Sequence, residues 1–337
     1  MAVLTRAEEI SDIAFGFMGS KALFAALHNK VFTHLSKGPM TAEELAEVTA
    51  LDPERSQTLL TAVAALGLVS VEEGRYANSP AAETFLVKGA KYDFGDYLRL
   101  QVDRQMYRLL DQIEMALVDE LPDEATGSYA QWFSDPEQAR LYSESQHAGS
   151  LGPARGLVKK LDLSKTKRLL DVGGGTGAYS ITLCRAFPDL EATVIDFPNV
   201  AKLGRRYVAE AGLGDRITYV DGNALETAWP REQGAILMSY LFSGVPDHEH
   251  ERLIADAYDH LLPGGLLLIH DFMVHADRTG PKNAALWQLQ HTAFTPQARS
   301  LDDAWIAERM VEAGFEAVSV DPMIPDMTML ARGLRPT

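Results

Sequence analysis

From about residue 167 to the C-terminus, short apolar runs alternate with amphipathic stretches of helical period. The pattern predicts strands near 168–172, 191–196, 216–220, 234–239, 265–272, 314–320 and 327–332. Strands separated by helices pair in parallel, because each crossover carries the chain back to the same end of the sheet. The last two are close together, joined by Asp321 to Asp326 with its two prolines, and predict an antiparallel hairpin at a sheet edge. The expected fold class is α/β, a doubly wound seven-stranded sheet over residues 165–337.

Upstream the pattern is mainly helical. Phe15 to Leu27 and Val31 to Leu35 have helical apolar spacing. Thr41-Ala42-Glu43-Glu44 is a capping box, and Pro53 to Leu66 is a helix stopped by Gly67. Runs at 68–71 and 75–77 flank Glu72-Glu73-Gly74, a hairpin turn. Helix, helix, hairpin over residues 1–90 is a winged-helix pattern. Its second helix offers only Arg55 as a strong cation, which favours a dimerisation or lid domain over DNA binding. Residues 91–164 form a helical connector and pocket lid, with a break from Pro122 to Tyr129 and a helix from Gln131 to His147. On that helix Gln138, Tyr142 and either Ser145 or Gln146 fall near one face, with His147 about one turn beyond Tyr142 or Ser143.

The chemistry concentrates where the first sheet strand ends, in Asp171-Val172-Gly173-Gly174-Gly175-Thr176-Gly177. Glycines there permit positive φ and let backbone N–H groups approach a ligand that a Cβ would exclude. The next strand ends in Asp196, placed to accept hydrogen bonds from ribose hydroxyls. The spacing is neither the dinucleotide pattern G-x-G-x-x-G nor a phosphate loop with its Lys and Ser/Thr. Strand ends also bring Asn223, Ser239 and Asp271 to the same cleft.

Composition narrows the partners. The chain of 337 residues is 46% hydrophobic, ordinary for a globular protein, with a net charge of −16 and no basic run. Neither nucleic acid nor an anionic membrane surface is an expected partner. The start lacks a basic, then apolar, leader, and no run of about 18 apolar residues stands out, so a cytoplasmic location is expected. The single cysteine, Cys184, reads as core packing. His248-Glu249-His250 reads as a solvent-facing helix start, and no metal is expected.

The glycine turn, with its acid two residues ahead of the first glycine, resembles the first motif of class I S-adenosylmethionine (SAM) methyltransferases. With the winged-helix start, Leu262-Pro263-Gly264-Gly265 and the closing hairpin, nearly the whole chain resembles the caffeate-type and bacterial O-methyltransferases. The resemblance implies SAM as cofactor, S-adenosylhomocysteine as product, and a homodimer joined through the N-terminal domains. It implies cofactor contacts from Asp171, Gly173, Gly175, Asp196 (ribose), Phe197 (adenine), Asn223 and Ala224 (adenine edge), with Ser239 and Tyr240 contributing backbone groups. Asn223 stands where the family has Asp; an amide oxygen still accepts from the adenine amine, without charge assistance.

A second departure bears on catalysis. The family carries His-Asp-Trp after the fourth strand, its His being the general base. Here Ser243 stands at that position, within Tyr240-Leu241-Phe242-Ser243-Gly244-Val245-Pro246-Asp247. A serine hydroxyl is no base at neutral pH without help. Either His147, His270 or His291 supplies a base, or the acceptor needs none. A thioether sulfur needs none. That loss, with the segment 14–23, resembles the bacterial methylthiohydroxybutyrate S-methyltransferases of dimethylsulfoniopropionate synthesis. The resemblance implies conversion of 4-methylthio-2-hydroxybutyrate to 4-dimethylsulfonio-2-hydroxybutyrate. Acceptor contacts are then expected from Tyr142, His147, Phe242, Trp287, Gln290 and His291, the last three sharing a helix face. The alternatives are O- or C-methylation of an aromatic or pigment-like molecule and, more remotely, a SAM-sensing winged-helix regulator.

Overall fold

The computed structural model describes residues 3–122 and 128–337. The chain divides into two compact units, meeting in sequence between Gln105 and Met106, so the expected connector 91–164 is shared between them. Residues 123–127, within the expected break, lie outside the described residues.

The first unit comprises α1 (Ala7–His28), α2 (Val31–Leu35), α3 (Ala42–Val48), α4 (Pro53–Ala65), the hairpin β1 (Val69–Glu72) and β2 (Arg75–Asn78), and α5 (Pro80–Phe85). The capping box forms as expected, with Thr41 Oγ1 accepting from the Glu44 amide and Glu44 Oε2 from the Thr41 amide. Glu73 and Gly74 both take positive φ, the handedness that a two-residue hairpin turn requires. Phe32, Leu45, Leu60 and Val63 centre this unit's core. Helix α1 starts earlier than its apolar spacing suggests, and its N-terminal half exposes Ile10, Ile13, Phe15, Phe17 and Met18. By length and mean hydropathy it is apolar enough to cross a membrane, with 17% of its most apolar window buried, but Ser11, Asp12, Ser20 and Lys21 interrupt it, so no continuous apolar run is present there.

The second unit opens with α6 (Tyr107–Leu109), α7 (Ile113–Leu117), α8 (Tyr129–Phe133) and α9 (Pro136–Lys160). The single helix expected over 131–147 is thus two. Asp135 ends the first by capping the second, its Oδ1 accepting from the Glu137 and Gln138 amides. The sheet follows: β3 (Arg168–Val172), α10 (Ala178–Ala186), β4 (Glu191–Asp196), α11 (Pro198–Glu210), β5 (Ile217–Asp221), β6 (Gln233–Ser239), α12 (His250–His260), β7 (Leu261–Asp271), α13 (Lys282–Phe294), α14 (Asp303–Glu312), β8 (Glu316–Ile324) and β9 (Thr328–Leu334). Strand order is β5-β4-β3-β6-β7-β9-β8, the first five parallel and β9 antiparallel to both neighbours. The expected α/β architecture is borne out.

Alternate residues of the central strands enter two cores. Leu170, Val172, Ile236 and Met238 face one, Leu169, Val194 and Leu237 the other, where Leu183 and Cys184 of α10 also pack, Cys184 as expected. Chain order reverses between β3 and β6, the switch point at which such sheets open a cleft beyond their carboxyl ends.

One contact ties the sheet edge to that cleft. Tyr219 of β5 lies so close to α11 that a Cβ on Gly204 would stand 2.1 Å from its hydroxyl oxygen. The same hydroxyl donates to the Gly175 carbonyl at 3.1 Å. Gly204→Ala therefore displaces Tyr219 and costs about 1–3 kcal/mol, the usual penalty of overpacking. Denaturant titration checks this; an unchanged midpoint would show that the ring has room to move.

Candidate active site

Beyond the carboxyl ends of β3, β4 and β6 lies a cleft enclosing about 1140 Å³ of space, its open mouth included. That is ample for a cofactor with a small second ligand. Asp171, Gly173, Gly175, Asp196, Phe197, Asn223, Ala224, Ser239 and Tyr240 all line it.

The glycine turn is shaped by the acid beneath it. Asp171 is fully buried, and its Oδ2 accepts from Ser180 Oγ at 2.6 Å. A Cβ on Gly174 would stand 2.5 Å from the Asp171 carboxyl carbon, so only glycine lets the turn close over the acid. Gly173, Gly175 and Gly177 take positive φ. Burial raises Asp171 to about 6, opposed by its bonds to Ser180. Its Oδ1 is buried without a partner among the described residues, an acceptor suited to a cationic group.

Asp196 closes the turn from the next strand. Its Oδ2 accepts from the Gly175 amide at 2.7 Å and its Oδ1 from the Phe197 amide at 2.8 Å. Burial nevertheless raises it to about 7, partly offset by those two amides. Buried acceptors at the strand end, beside a turn that excludes side chains, fit a nucleoside with an amino-acid tail. When bound, SAM supplies a methyl group on an electrophilic sulfonium.

Other expected contacts are partly spent on the protein. Asn223 holds its own turn, its Oδ1 accepting from the Leu225 amide and its Nδ2 donating to Glu226. Tyr240 has φ +58, an uncommon conformation for a residue with a side chain, and its amide donates to the His270 carbonyl. That amide is therefore spent within the protein, although Tyr240 itself lines the cleft. Ser239 Oγ lies 3.1 Å from His270 Nδ1.

The three candidate bases are not among the lining residues, and among the described residues no histidine lines the cleft. His270 is fully buried, with Tyr179 Oη 2.8 Å from Nδ1 and Thr328 Oγ1 2.8 Å from Nε2; burial holds it down at about 3. His147 stacks on Tyr207 at 3.9 Å and meets Thr176 Oγ1 at 2.7 Å, its pKa lowered to about 4 by burial and by Arg206. Burial lowers His291 to about 4 as well, and neither ring nitrogen has a partner among the described residues.

Of the expected acceptor residues, Tyr142 alone lines this cleft. Phe242 is fully buried in the sheet core against His250, which corrects its expected place beside a developing sulfonium. Trp287 stacks on Phe272 at 4.4 Å. Gln290 is buried near it on α13, its amide unpartnered among the described residues. Ser243 is buried too, its amide donating to Asp271 Oδ2 at 3.1 Å. Burial raises Asp271 to about 6, against bonds from Ser243 and the Phe272 amide. His250 is also corrected: it is buried, not solvent-facing, whereas His248 is exposed.

Several lining residues lie outside the expected site set, Tyr129, Ser143, Ser150 and Tyr179 among them. Tyr129 ends the expected break; Ser143 and Ser150 continue the helical period through Gln146, and that period is the available signal. Ser143 Oγ and Gln146 Oε1 are buried without partners among the described residues, whereas Ser145 returns its hydroxyl to the Leu141 carbonyl. Tyr179 lines the cleft beside its His270 bond. Among the described residues no cluster of three or more His, Cys, Asp or Glu could hold a metal.

Comparison with known proteins agrees with this geometry. Residues 107–316 match the O-methyltransferase domain and residues 11–88 the O-methyltransferase dimerisation domain. The chain is 31% identical to a 3-hydroxy-5-methyl-1-naphthoate 3-O-methyltransferase of Streptomyces sahachiroi, over 92% of this chain and 89% of that one. It is 28% identical to a tetracenomycin polyketide synthesis 8-O-methyl transferase of Streptomyces glaucescens, over 96% of each. Among solved structures, human N-acetylserotonin methyltransferase in complex with SAM shares its fold, with a TM-score of 0.87 at 20% identity and 100% of both chains covered. This chain belongs to the O-methyltransferase family and is a SAM-dependent methyltransferase.

Proposed function

We propose that the enzyme methylates a neutral thioether sulfur, with 4-methylthio-2-hydroxybutyrate as acceptor and 4-dimethylsulfonio-2-hydroxybutyrate as product. The observation that carries this reading is the state of the 242–244 turn. At the position where the resemblance puts a general base stands Ser243, its amide held by Asp271, and no imidazole lines the cleft. A phenol must lose a proton to become a good nucleophile, whereas a thioether presents its lone pair directly. The protein then needs to align, dehydrate and tolerate positive charge. Alignment alone contributes on the order of 7–11 kcal/mol. Tyr129, Phe133 and Tyr142 give the cleft aromatic faces, which attract a sulfonium by about 0.5–2 kcal/mol each where geometry allows.

The cofactor end is read from Asp171 and Asp196 together. Asp196 accepts from the ribose hydroxyls and Asp171 Oδ1 from the ammonium tail, while Phe197 offers an apolar face to the base. Ser143 and Gln146, with unspent buried oxygens, are the polar groups nearest in kind to what a hydroxy-acid acceptor requires. The N-terminal unit carries the family's dimerisation domain, and the exposed apolar half of α1 is the surface a second copy would cover. The relatives named above act, by their names, on aromatic hydroxyls, which makes phenol O-methylation the competing reading.

A panel of thioether and phenol acceptors, with products weighed by mass spectrometry, separates the two. The expected result is a dimethylsulfonio product and no methylated phenol. At saturating cofactor, kcat is expected to stay flat from about pH 7 to 9, and Ser243→Ala to remain within about threefold of the parent. A rate tracking one ionisation near neutrality, abolished by a single histidine substitution, would restore a base mechanism.

Cofactor affinity carries its own pH signature. Burial raises Asp196 from the ordinary carboxyl range to about 7, so the folded chain keeps a proton that the unfolded chain sheds near pH 4. Stability from that proton is complete below about pH 4 and fades as pH rises through 7. Binding runs the other way, because ribose hydroxyls donate to the carboxylate and a bound proton must first leave. Affinity for S-adenosylhomocysteine is expected to weaken up to about tenfold per pH unit below 7, more steeply where Asp171 also protonates near 6. Asp196→Asn should bind weakly and with little pH dependence from 6 to 8. Calorimetry decides; a wild-type affinity constant across that range refutes the assignment.

A further inference from the structure

Gly244 has no backbone reason to be glycine. It does not take positive φ, unlike the glycines of the cofactor turn. What it supplies is room: a Cβ there would stand 2.6 Å from Cε2 and 2.9 Å from Cδ2 of Tyr129, closer than any real contact. Tyr129 is seated on the bare backbone of the 242–244 turn.

The ring has little freedom to leave that seat. Phe294 meets it edge-on at 4.6 Å, Phe133 lies at 5.4 Å, Tyr142 at 5.7 Å and Trp132 at 6.2 Å. Its hydroxyl is 3.4 Å from that of Tyr142. Tyr129, Tyr142 and Gly244 all line the cleft, on wall segments separate in sequence from the glycine turn and the strand-end acids.

We propose that Tyr129, seated on Gly244, is a specificity-determining residue that shortens the acceptor end of the cleft and limits acceptors to about the size of a single ring or a short chain. The inference rests on reading this cleft as the methyl-transfer site, not on which atom accepts the methyl group. A ring held by four other rings does not yield to a larger ligand, because moving it breaks every one of those contacts. The fused two-ring naphthoate named for the Streptomyces sahachiroi relative is of the class this arrangement excludes.

The test is calorimetry on the full-length protein saturated with S-adenosylhomocysteine, using 4-methylthio-2-hydroxybutyrate, phenol and 2-naphthol as probes. Wild type is expected to bind at least one small probe and to bind 2-naphthol at least about tenfold more weakly. Tyr129→Ala should reverse this, gaining about tenfold or more for 2-naphthol and losing a similar factor for the small probe. Tyr129→Phe keeps the ring and should retain the wild-type pattern. Gly244→Ala, which evicts the ring without removing it, should shift in the same direction as Tyr129→Ala. Affinity for S-adenosylhomocysteine within about twofold of wild type verifies that each variant is folded. Wild type binding 2-naphthol as well as phenol, or neither Tyr129→Ala nor Gly244→Ala gaining two-ring binding, overturns the proposal. Phenol binding without any thioether binding, together with the 2-naphthol gain, would remove the thioether reading and leave the size limit standing.

Discussion

The arrangement of this enzyme depends on two carboxyl groups buried at the ends of adjacent parallel strands. Asp171 lies directly beneath Gly174, and Asp196 holds the Gly175 amide from the side. Neither has a cationic side chain to neutralise it, and burial raises both. Such groups are costly to keep, since an ionised carboxylate away from water loses several kcal/mol of solvation unless donors replace the water. Here the donors are backbone amides and one serine hydroxyl, and they leave acceptor capacity unused. In the proposed reading that unused capacity serves the cofactor, whose hydroxyls and ammonium group would complete the solvation that the fold leaves incomplete. The Tyr219 hydroxyl on the Gly175 carbonyl adds the third restraint, so the turn is held from β3, β4 and β5 at once.

The histidines show the opposite use of burial. His270, His147 and His291 are each pushed toward the neutral form, below the range in which an imidazole would shuttle protons near neutral pH. His270 bridges hydroxyls from α10 and β9, and His147 bridges α9 to the glycine turn through Thr176. His270 and His147 therefore act as neutral hydrogen-bonding spacers, whereas His291 is a buried neutral ring without a partner among the described residues. The cleft is thus walled by carboxyls, amides and aromatic faces, with these imidazoles outside its lining among the described residues.

Much of this was legible in the sequence. The strands follow from apolar runs bounded by glycines and acids, because a strand covered on both faces must be apolar along its length. The capping box of α3 and the glycine turn are local motifs whose geometry neighbouring residues dictate, and both form where they were expected. The expectations that failed concern residues whose environment is set across the fold. Phe242 and His250 lie eight positions apart, and nothing local says that they stack in the core. Tyr129 follows a stretch rich in turn formers, yet its place is decided by Gly244, more than 100 residues later. Helix α1 is hard to read because its apolar residues are spread around the helix instead of forming one stripe, and several of them stay exposed.

At the 242–244 turn the two proposals, a reaction without a base and a size limit on the acceptor, have a common physical basis. Every backbone group recorded there is satisfied from within: the Ser243 amide by Asp271, the Ser243 carbonyl by Thr295 Oγ1, the Gly244 amide by the Leu241 carbonyl and the Phe242 carbonyl by His250. A carbonyl can only accept, so His250 carries its proton on Nε2, and burial, which lowers its pKa, keeps the ring neutral in that tautomer. A turn fixed in this way presents the bare backbone of Gly244 to the cleft. An imidazole projecting from position 243 and a carboxylate from 244 would need solvent or a polar acceptor beside them, and would occupy the space over which Tyr129 packs. Small, uncharged residues at both positions remove the need for that solvent and create the seat for the ring. On the proposed reading, loss of the proton-accepting group and closure of the acceptor end follow from one change in local volume and charge.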